Sequence, residues 1–83
     1  MNESLSKLLS DLEIDEYGVV SQLRGGREFS SRMTVLGFTI GTKVTVLQNY
    51  ARGPVIVAIR DTRIALGRGE ALKVLVEVKC DDE

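Results

Sequence analysis

Short runs of β-forming residues separated by turns limit the folds open to this chain more than any other feature. The two clearest runs are 42–47 (TKVTVL) and Val55–Ile59 (VIVAI), joined by the loop 49–54. Three further runs have the same character: Tyr17–Leu23, 64–66 after a tight turn at Asp61-Thr62, and 74–78. Branched and aromatic side chains favour extended backbone. Five short strands in 83 residues predict a mainly β fold, a small closed barrel whose last strand pairs near the first and leaves no exposed edge.

One helix is expected between the first two strands. Residues 27–36 place Phe29, Met33 and Leu36 at the spacing i, i+4, i+7, which forms one apolar stripe. Gly37 follows the stripe, where a glycine in the left-handed conformation commonly ends a helix and the next residue folds back on the last turn. The pattern therefore predicts an α-helix of about three turns over 27–36.

The N-terminal residues also show helical spacing. Leu5, Leu8, Leu9 and Leu12 lie at i, i+3, i+4 and i+7, and Ser4 is a candidate N-cap. This stretch is short for an independent helix, so we expect its leucines to pack on the barrel. We expect a single domain over 1–83, with 1–8 and 79–83 peripheral or flexible.

The residues that the chain lacks exclude several kinds of chemistry. It contains no histidine and a single cysteine, Cys80. Zinc and iron sites usually combine several His or Cys ligands, and nucleophilic triads need a histidine, so neither arrangement can be built within one chain. Cys80 precedes three acidic residues whose field disfavours the thiolate, and we expect it to be inert. The sequence predicts a non-enzymatic protein with no metal or cofactor.

Hydropathy argues against membrane insertion. No apolar run approaches the ~18 residues that a spanning helix needs. The first residues, MNESLSKLL, lack the basic start and the continuous apolar stretch of a signal peptide. We therefore expect a cytoplasmic protein.

The formal net charge of −1 is unevenly distributed along the chain. Residues 17–80 hold ten basic and four acidic side chains, whereas most acidic residues lie in 1–16 and 81–83. A basic body suits nucleic acid or an acidic protein face, and a solvated surface neutralised by the acidic ends is the simpler alternative. The chain has four aromatic residues, which weakens the case for single-stranded nucleic acid.

An ordered set of short motifs resembles the FeoA family, small accessory proteins of ferrous iron uptake. The motifs are Leu9-Ser10-Asp11-Leu12, Arg32-Met33-x-x-Leu36-Gly37-Phe38-x-x-Gly41-x-x-Val44-x-Val46, Gly53-Pro54-Val55, Arg63-Ile64-Ala65-Leu66-x-Arg68 and Ala71-x-x-Val74-x-Val76. They cover roughly residues 9–78. Three loop positions depart from the family: Ile40 replaces a common proline, Tyr50-Ala51-Arg52 replaces a proline-leucine-glycine loop, and Asp61-Thr62 lacks a common glycine.

The resemblance implies an SH3-like β-barrel, similar also to the C-terminal module of DtxR-type iron-dependent repressors. It further implies docking on the cytoplasmic part of a FeoB-type membrane ferrous iron permease, whose transport the protein would modulate. The candidate partner-binding residues are Arg32, Met33 and Leu36 on the helix and Tyr50, Arg52 and Gly53 in the projecting loop. Direct membrane insertion and nucleic-acid binding are not expected in this interpretation, and weak self-association stays open.

Two alternatives use the arginines differently. A small RNA-binding barrel would place its basic body on phosphates and show steep salt dependence. A GTPase-activating partner would supply Arg32 or Arg52 in trans to the transporter's GTP-binding domain.

Overall fold

The strands and helices are taken from a computed structural model that describes residues 3–50 and 52–80. The strands in this part of the chain are β1 (Glu3–Leu8), β2 (Tyr17–Leu23), β3 (Lys43–Asn49), β4 (Val55–Ile59), β5 (Thr62–Leu66) and β6 (Val74–Cys80). The helices are α1 (Gly26–Leu36) and α2 (Arg68–Ala71), with a 3-10 turn at Leu9–Asp11. None of these helices is long and apolar enough to cross a membrane.

The six strands form one antiparallel sheet in the order β1-β6-β2-β3-β4-β5. The expectation that the last strand pairs near the first is confirmed, because β6 lies between β1 and β2. The expectation of a barrel without edges is wrong for the described residues. Strands β1 and β5 stand at the two ends of the hydrogen-bonded order and do not pair with each other.

Two irregularities in the ladders help the sheet to curl. The register between β2 and β6 shifts between Val20 and Gln22, and the register between β3 and β4 shifts between Val46 and Gln48. Bulges of this kind bend a strand and increase its twist. At the first of them, the Ser21 hydroxyl donates a hydrogen bond to the Leu75 carbonyl at 3.1 Å. The sheet can thus wrap around one core.

The core is one cluster of buried apolar side chains inside the curled sheet. Residues alternate between buried and less buried along β4, as the two faces of a strand require. The members of the cluster are Leu9, Leu12, Val20, Phe29, Met33, Phe38, Val44, Val46, Val55, Val57, Ile59, Leu66, Ala71, Val74 and Val76. The inner faces of five strands and one face of α1 therefore share a single apolar interior.

The prediction of an N-terminal helix is wrong, and the described part of the chain forms six strands rather than five. Residues 3–8 form β1, where Leu5 lies opposite Val78 and Leu8 opposite Leu75. Ser4 is accordingly a strand residue and not a helix N-cap. Pairing with β6 gives six consecutive residues interstrand partners, which outweighs the weak helical preference of so short a segment.

The predicted helix and its C-terminal signal are confirmed. Helix α1 ends at Leu36, and Gly37 adopts the left-handed conformation with φ of 108°. The amide of Gly37 donates to the Thr34 carbonyl at 3.0 Å, and the amide of Phe38 donates to the Met33 carbonyl at 2.9 Å. These two bonds are those of the Schellman motif, and they return the chain toward the core, where Phe38 is fully buried.

The turn between β4 and β5 lies one residue earlier than predicted. Ile59 pairs with Thr62, so the two connecting residues are Arg60 and Asp61. Arg60 has a φ of +57°, in the left-handed region that glycine, asparagine and aspartate tolerate best.

Candidate functional site

Helix α2 is joined to α1 through a single carboxylate. One oxygen of Glu70 accepts a hydrogen bond from the backbone amide of Gly67 at 3.2 Å and so caps the first turn of α2. Its other oxygen pairs with Arg32 on α1, with 2.7 Å between Nη2 and Oε2. The cap fixes the carboxylate, and the carboxylate in turn orients the arginine.

Arg32, a predicted partner-binding residue, is therefore engaged within the protein. Its guanidinium also lies over the Phe29 ring, 5.7 Å from the ring centroid. The side chain nevertheless remains 56% exposed, and exposed ion pairs add little to stability. Arg32 thus presents an oriented cation at the surface.

Arg68 anchors the loop that connects β3 to β4. Its Nη2 donates to the Asn49 side-chain oxygen at 2.8 Å and also to the Tyr50 carbonyl, and its Nε donates to the Gly53 carbonyl at 3.2 Å. A guanidinium carries five N–H donors in a planar fork, which suits it to several acceptors at once. One side chain therefore holds both ends of a loop whose central residue, Ala51, lies outside the described residues.

Asn49 extends this network to the N-terminal part of the chain. Its Nδ2 donates to the carbonyls of Ser10 and Leu12 at 2.9 and 2.6 Å, while its Oδ1 accepts from Arg68. The side chain satisfies backbone carbonyls of the 3-10 turn and so joins that turn to β3 and α2. We call Arg32, Asn49, Arg68 and Glu70 the α2 network.

Above the α2 network, the tip of the loop is open to solvent. Tyr50 is 62% exposed and Arg52 is also exposed. Gly53 adopts a φ of +86°, and a Cβ on it would meet no atom within 4 Å. The sequence predicted a loop that projects from the sheet. The structure places an exposed tip on an anchored base.

The candidate residues on α1 have different environments. Met33 is fully buried and belongs to the core, so its side chain is not accessible to a partner in this structure. Leu36 is 40% exposed and stands beside Val35, which is 86% exposed. The apolar stripe that includes Met33 marks the face of α1 that packs on the barrel. Such a stripe does not indicate which side chains a partner can reach.

Arg68 and Asn49 are the residues that sequence reasoning missed. Arg68 belonged to a family motif and Asn49 stood at the start of the expected loop, yet nothing in their spacing indicated that they would meet. Glu70, two residues after Arg68, completes the connection from the loop to Arg32. This arrangement offers hydrogen bonding and ion pairing, the chemistry of recognition. In the described part of the chain, no group of three or more His, Cys, Asp or Glu residues is placed to hold a metal ion.

Curated relatives resemble most of this chain. The protein named "Putative Fe(2+) transport protein A" from Methanocaldococcus jannaschii is 37% identical over 59 residues, which cover 71% of each chain. The protein named "Fe(2+) transport protein A/Fe(2+) transporter FeoB fusion protein" from Porphyromonas gingivalis is 34% identical over 71 residues. Those residues cover 84% of this chain and 8% of the fusion protein.

Solved structures share the fold. A crystal structure of the iron uptake regulatory protein FeoA superposes with a TM-score of 0.84 at 29% identity, covering 92% of this chain and all of that one. FeoA of Stenotrophomonas maltophilia, described as a prokaryotic SH3 domain protein, gives 0.75 at 27% identity over 86% of this chain and 92% of that one. A manganese-dependent transcriptional repressor superposes with a TM-score of 0.81 at 18% identity, covering 92% of this chain and 43% of that one. This match shows a likeness of fold alone. These matches confirm the SH3-like barrel and its similarity to repressor domains.

The family assignment rests on the match along the chain as well as on the fold. The sequence fits the FeoA domain family over residues 7–78. This range includes all four members of the α2 network and the loop that they anchor. The chain therefore belongs to the FeoA family, as its ordered motifs suggested.

Proposed function

We propose that the chain is an accessory protein of ferrous iron uptake that docks on the cytoplasmic part of a FeoB-type ferrous iron transporter and modulates it. The observation that carries this proposal is the Porphyromonas gingivalis relative, in which a segment similar to this chain belongs to one polypeptide with a ferrous iron transporter. Fusion holds two modules at high effective concentration, which favours pairs that act in contact.

We place the docking surface on the exposed tip above the α2 network. Tyr and Arg are the residue types that most often dominate binding energy at protein interfaces, and Tyr50 and Arg52 are both exposed. Arg68 holds the carbonyls of Tyr50 and Gly53, so these two positions would need little ordering on binding. Arg32 adds an oriented cation next to Glu70.

The test is a titration of the ¹⁵N-labelled protein with the cytoplasmic domain of the cognate transporter. The double variant Tyr50→Ala, Arg52→Glu should weaken binding by roughly tenfold or more, because it removes two anchor side chains. Arg24→Glu makes the same charge change at another exposed arginine and should stay within about twofold. Circular dichroism checks that both variants keep the wild-type fold.

Each result decides one part of the proposal. Unchanged affinity in a folded double variant would move the docking surface away from the loop. Absence of saturable binding by the wild-type protein would contradict docking itself. Hydrolysis of GTP, measured in the same samples, tests the GTPase-activating alternative, for which Arg52 is the better candidate since the Arg32 guanidinium already pairs with Glu70.

A further inference from the structure

A second surface lies on the outer side of β3 and β4 and shares no residue with the α2 network. It is an open groove with a volume of about 500 Å³. Its lining residues are Gly41, Thr42, Lys43, Thr45, Ala58 and Arg60. The charged side chains among these residues, Lys43 and Arg60, are both basic.

The backbone at one side of the groove is held rigidly. The amide of Gly41 donates to the Val20 carbonyl at 2.8 Å, and the amide of Val20 donates to the Thr42 carbonyl at 2.9 Å. The hydroxyls of Thr39 and Thr42 lie 2.7 Å apart and share a hydrogen bond. The groove is therefore largely pre-formed, and a ligand would not have to order it.

The two groove cations are available to a ligand. Within residues 3–50 and 52–80, the ion pairs join Lys7 to Glu16 and Arg32 to Glu70, and they use neither Lys43 nor Arg60. Lys43 Nζ lies 4.5 Å from the centroid of the Tyr17 ring, which positions the ammonium group at the surface.

Arg60 enters the groove lining from a strained backbone conformation. Its φ of +57° lies where residues with a Cβ are disfavoured, and the two-residue hairpin turn would be easier to form with glycine. Strained residues cluster at ligand sites and switch regions, although tight turns also contain them. Here the strained residue carries a cation into the groove lining.

We propose that this groove binds an acidic peptide segment of a partner protein, with carboxylates meeting Lys43 and Arg60 and an apolar side chain resting on Ala58 and Thr45. Charge complementarity selects the acidic occupant, because both charged lining residues are basic. A peptide fits better than a nucleic acid. Proteins bind single-stranded nucleic acids with long cationic tracks along the phosphates and with open aromatic rings on which bases stack. Here the groove has two cations, and Lys43 covers the ring of the neighbouring Tyr17. The inference stands independently of the proposed docking on a transporter.

The experiment uses the whole ¹⁵N-labelled chain and a defined probe, the blocked pentapeptide Asp-Glu-Leu-Asp-Glu. The neutral pentapeptide Asn-Gln-Leu-Asn-Gln is the matched control. We expect saturable amide shifts confined to residues 41–45 and 58–61 with the acidic peptide and none with the neutral one. Lys43→Gln and Arg60→Gly should each weaken binding about three- to tenfold, and Arg24→Gln less than about twofold.

Arg60→Gly carries a second signature that a structural role would not produce. Glycine relieves the left-handed strain, so the melting temperature should hold or rise while peptide affinity falls. A fall in both would assign Arg60 to fold stability and overturn its binding role.

The remaining outcomes also decide the proposal. Titration to about 1 mM peptide detects even weak complexes. If no amide shifts appear up to that concentration, the proposal is overturned. If Arg24→Gln weakens peptide binding as much as Lys43→Gln and Arg60→Gly do, the binding is diffuse charge attraction. That result would overturn the groove as a specific site. If a twelve-nucleotide oligouridylate displaces the peptide and shifts the same amides, the ligand class would be single-stranded RNA. That result would overturn the proposal of a peptide.

Discussion

Asn49 shows how much one polar side chain contributes to this fold. Its amide group donates to two backbone carbonyls, those of Ser10 and Leu12, and its oxygen accepts from Arg68. The residue is partly buried, so the groups that it satisfies would be poorly compensated by water if it were removed. Asn49 therefore holds together segments nearly forty positions apart in the chain.

We expect Asn49→Ala to lower the free energy of unfolding by about 1–3 kcal/mol, because it leaves two carbonyls and one guanidinium contact without a partner. Gln48→Ala, at the exposed neighbouring position of β3, should change it by less than about 0.5 kcal/mol. Urea unfolding followed by circular dichroism compares the two variants. Equal losses would show that the Asn49 hydrogen bonds add nothing to stability.

Glu16 connects stability to pH. The backbone amide of Glu13 donates to its Oε1 at 2.8 Å and lowers the Glu16 pKa below the usual 4.5, an effect that Lys7 reinforces from 3.2 Å and partial burial opposes. A carboxyl with a lowered pKa in the folded state stabilises the fold at pH above its unfolded value. That contribution is lost as pH falls through the folded value.

Glu16→Gln should therefore destabilise the protein near neutral pH, and the difference from wild type should vanish in acid below the folded pKa of Glu16. Glu13→Gln is the matched control, since Glu13 contributes its backbone amide rather than its carboxylate to the contact. Urea unfolding across a pH series from neutral into acid measures both variants. A difference that persists unchanged in acid would contradict the assignment.

At the scale of elements, local sequence signals predicted the secondary structure correctly where they were unambiguous. Strand β4 and helix α1 have strong patterns and definite ends, and both were predicted within one residue of their observed bounds. Strand β1 was not, because its leucines fit a helical period and its extended conformation depends on a partner at the other end of the chain, β6. In such short apolar segments, periodicity alone does not distinguish a strand from a helix.

The end of α1 provides a test at this scale. Gly37→Ala should lower the free energy of unfolding by about 1–2 kcal/mol, because alanine is strained at a φ of 108°, while its Cβ would make an ordinary 3.5 Å contact with Ile59. Gly69→Ala, in α2, adds a Cβ that meets no atom within 4 Å and should be neutral or stabilising by up to about 1 kcal/mol. Urea midpoints measure both, and equal effects would contradict a conformational role for Gly37.

At the scale of the molecule, the two proposed recognition surfaces share one small barrel. The Cα radius of gyration is 12.0 Å, close to the ~12 Å expected for a compact chain of this length, so each surface is supported by the same core. One surface consists of the loop tip above the α2 network and the other is the groove between Lys43 and Arg60. The variants chosen for them do not overlap, so failure of one proposal leaves the other testable.

The amino-acid sequence by itself determined the class of fold, the position and ending of α1, the central strands and the family. These features depend on local preferences and on short motifs, which are readable without knowledge of distant contacts. The docking role of Tyr50 and Arg52 stays a prediction, and the sequence placed Met33 among contact residues although it is buried.

Only the tertiary structure decided that residues 3–8 form a strand, that Arg68 and Asn49 anchor the loop, and that Lys43 and Arg60 line one groove. Each of these facts is a pairing of residues far apart in the chain. Strand register and the bulges in β2 and β3 set such pairings, and a one-residue change of register reverses which side chains face outward. Geometry of that kind is a property of the folded sheet and not of any local segment.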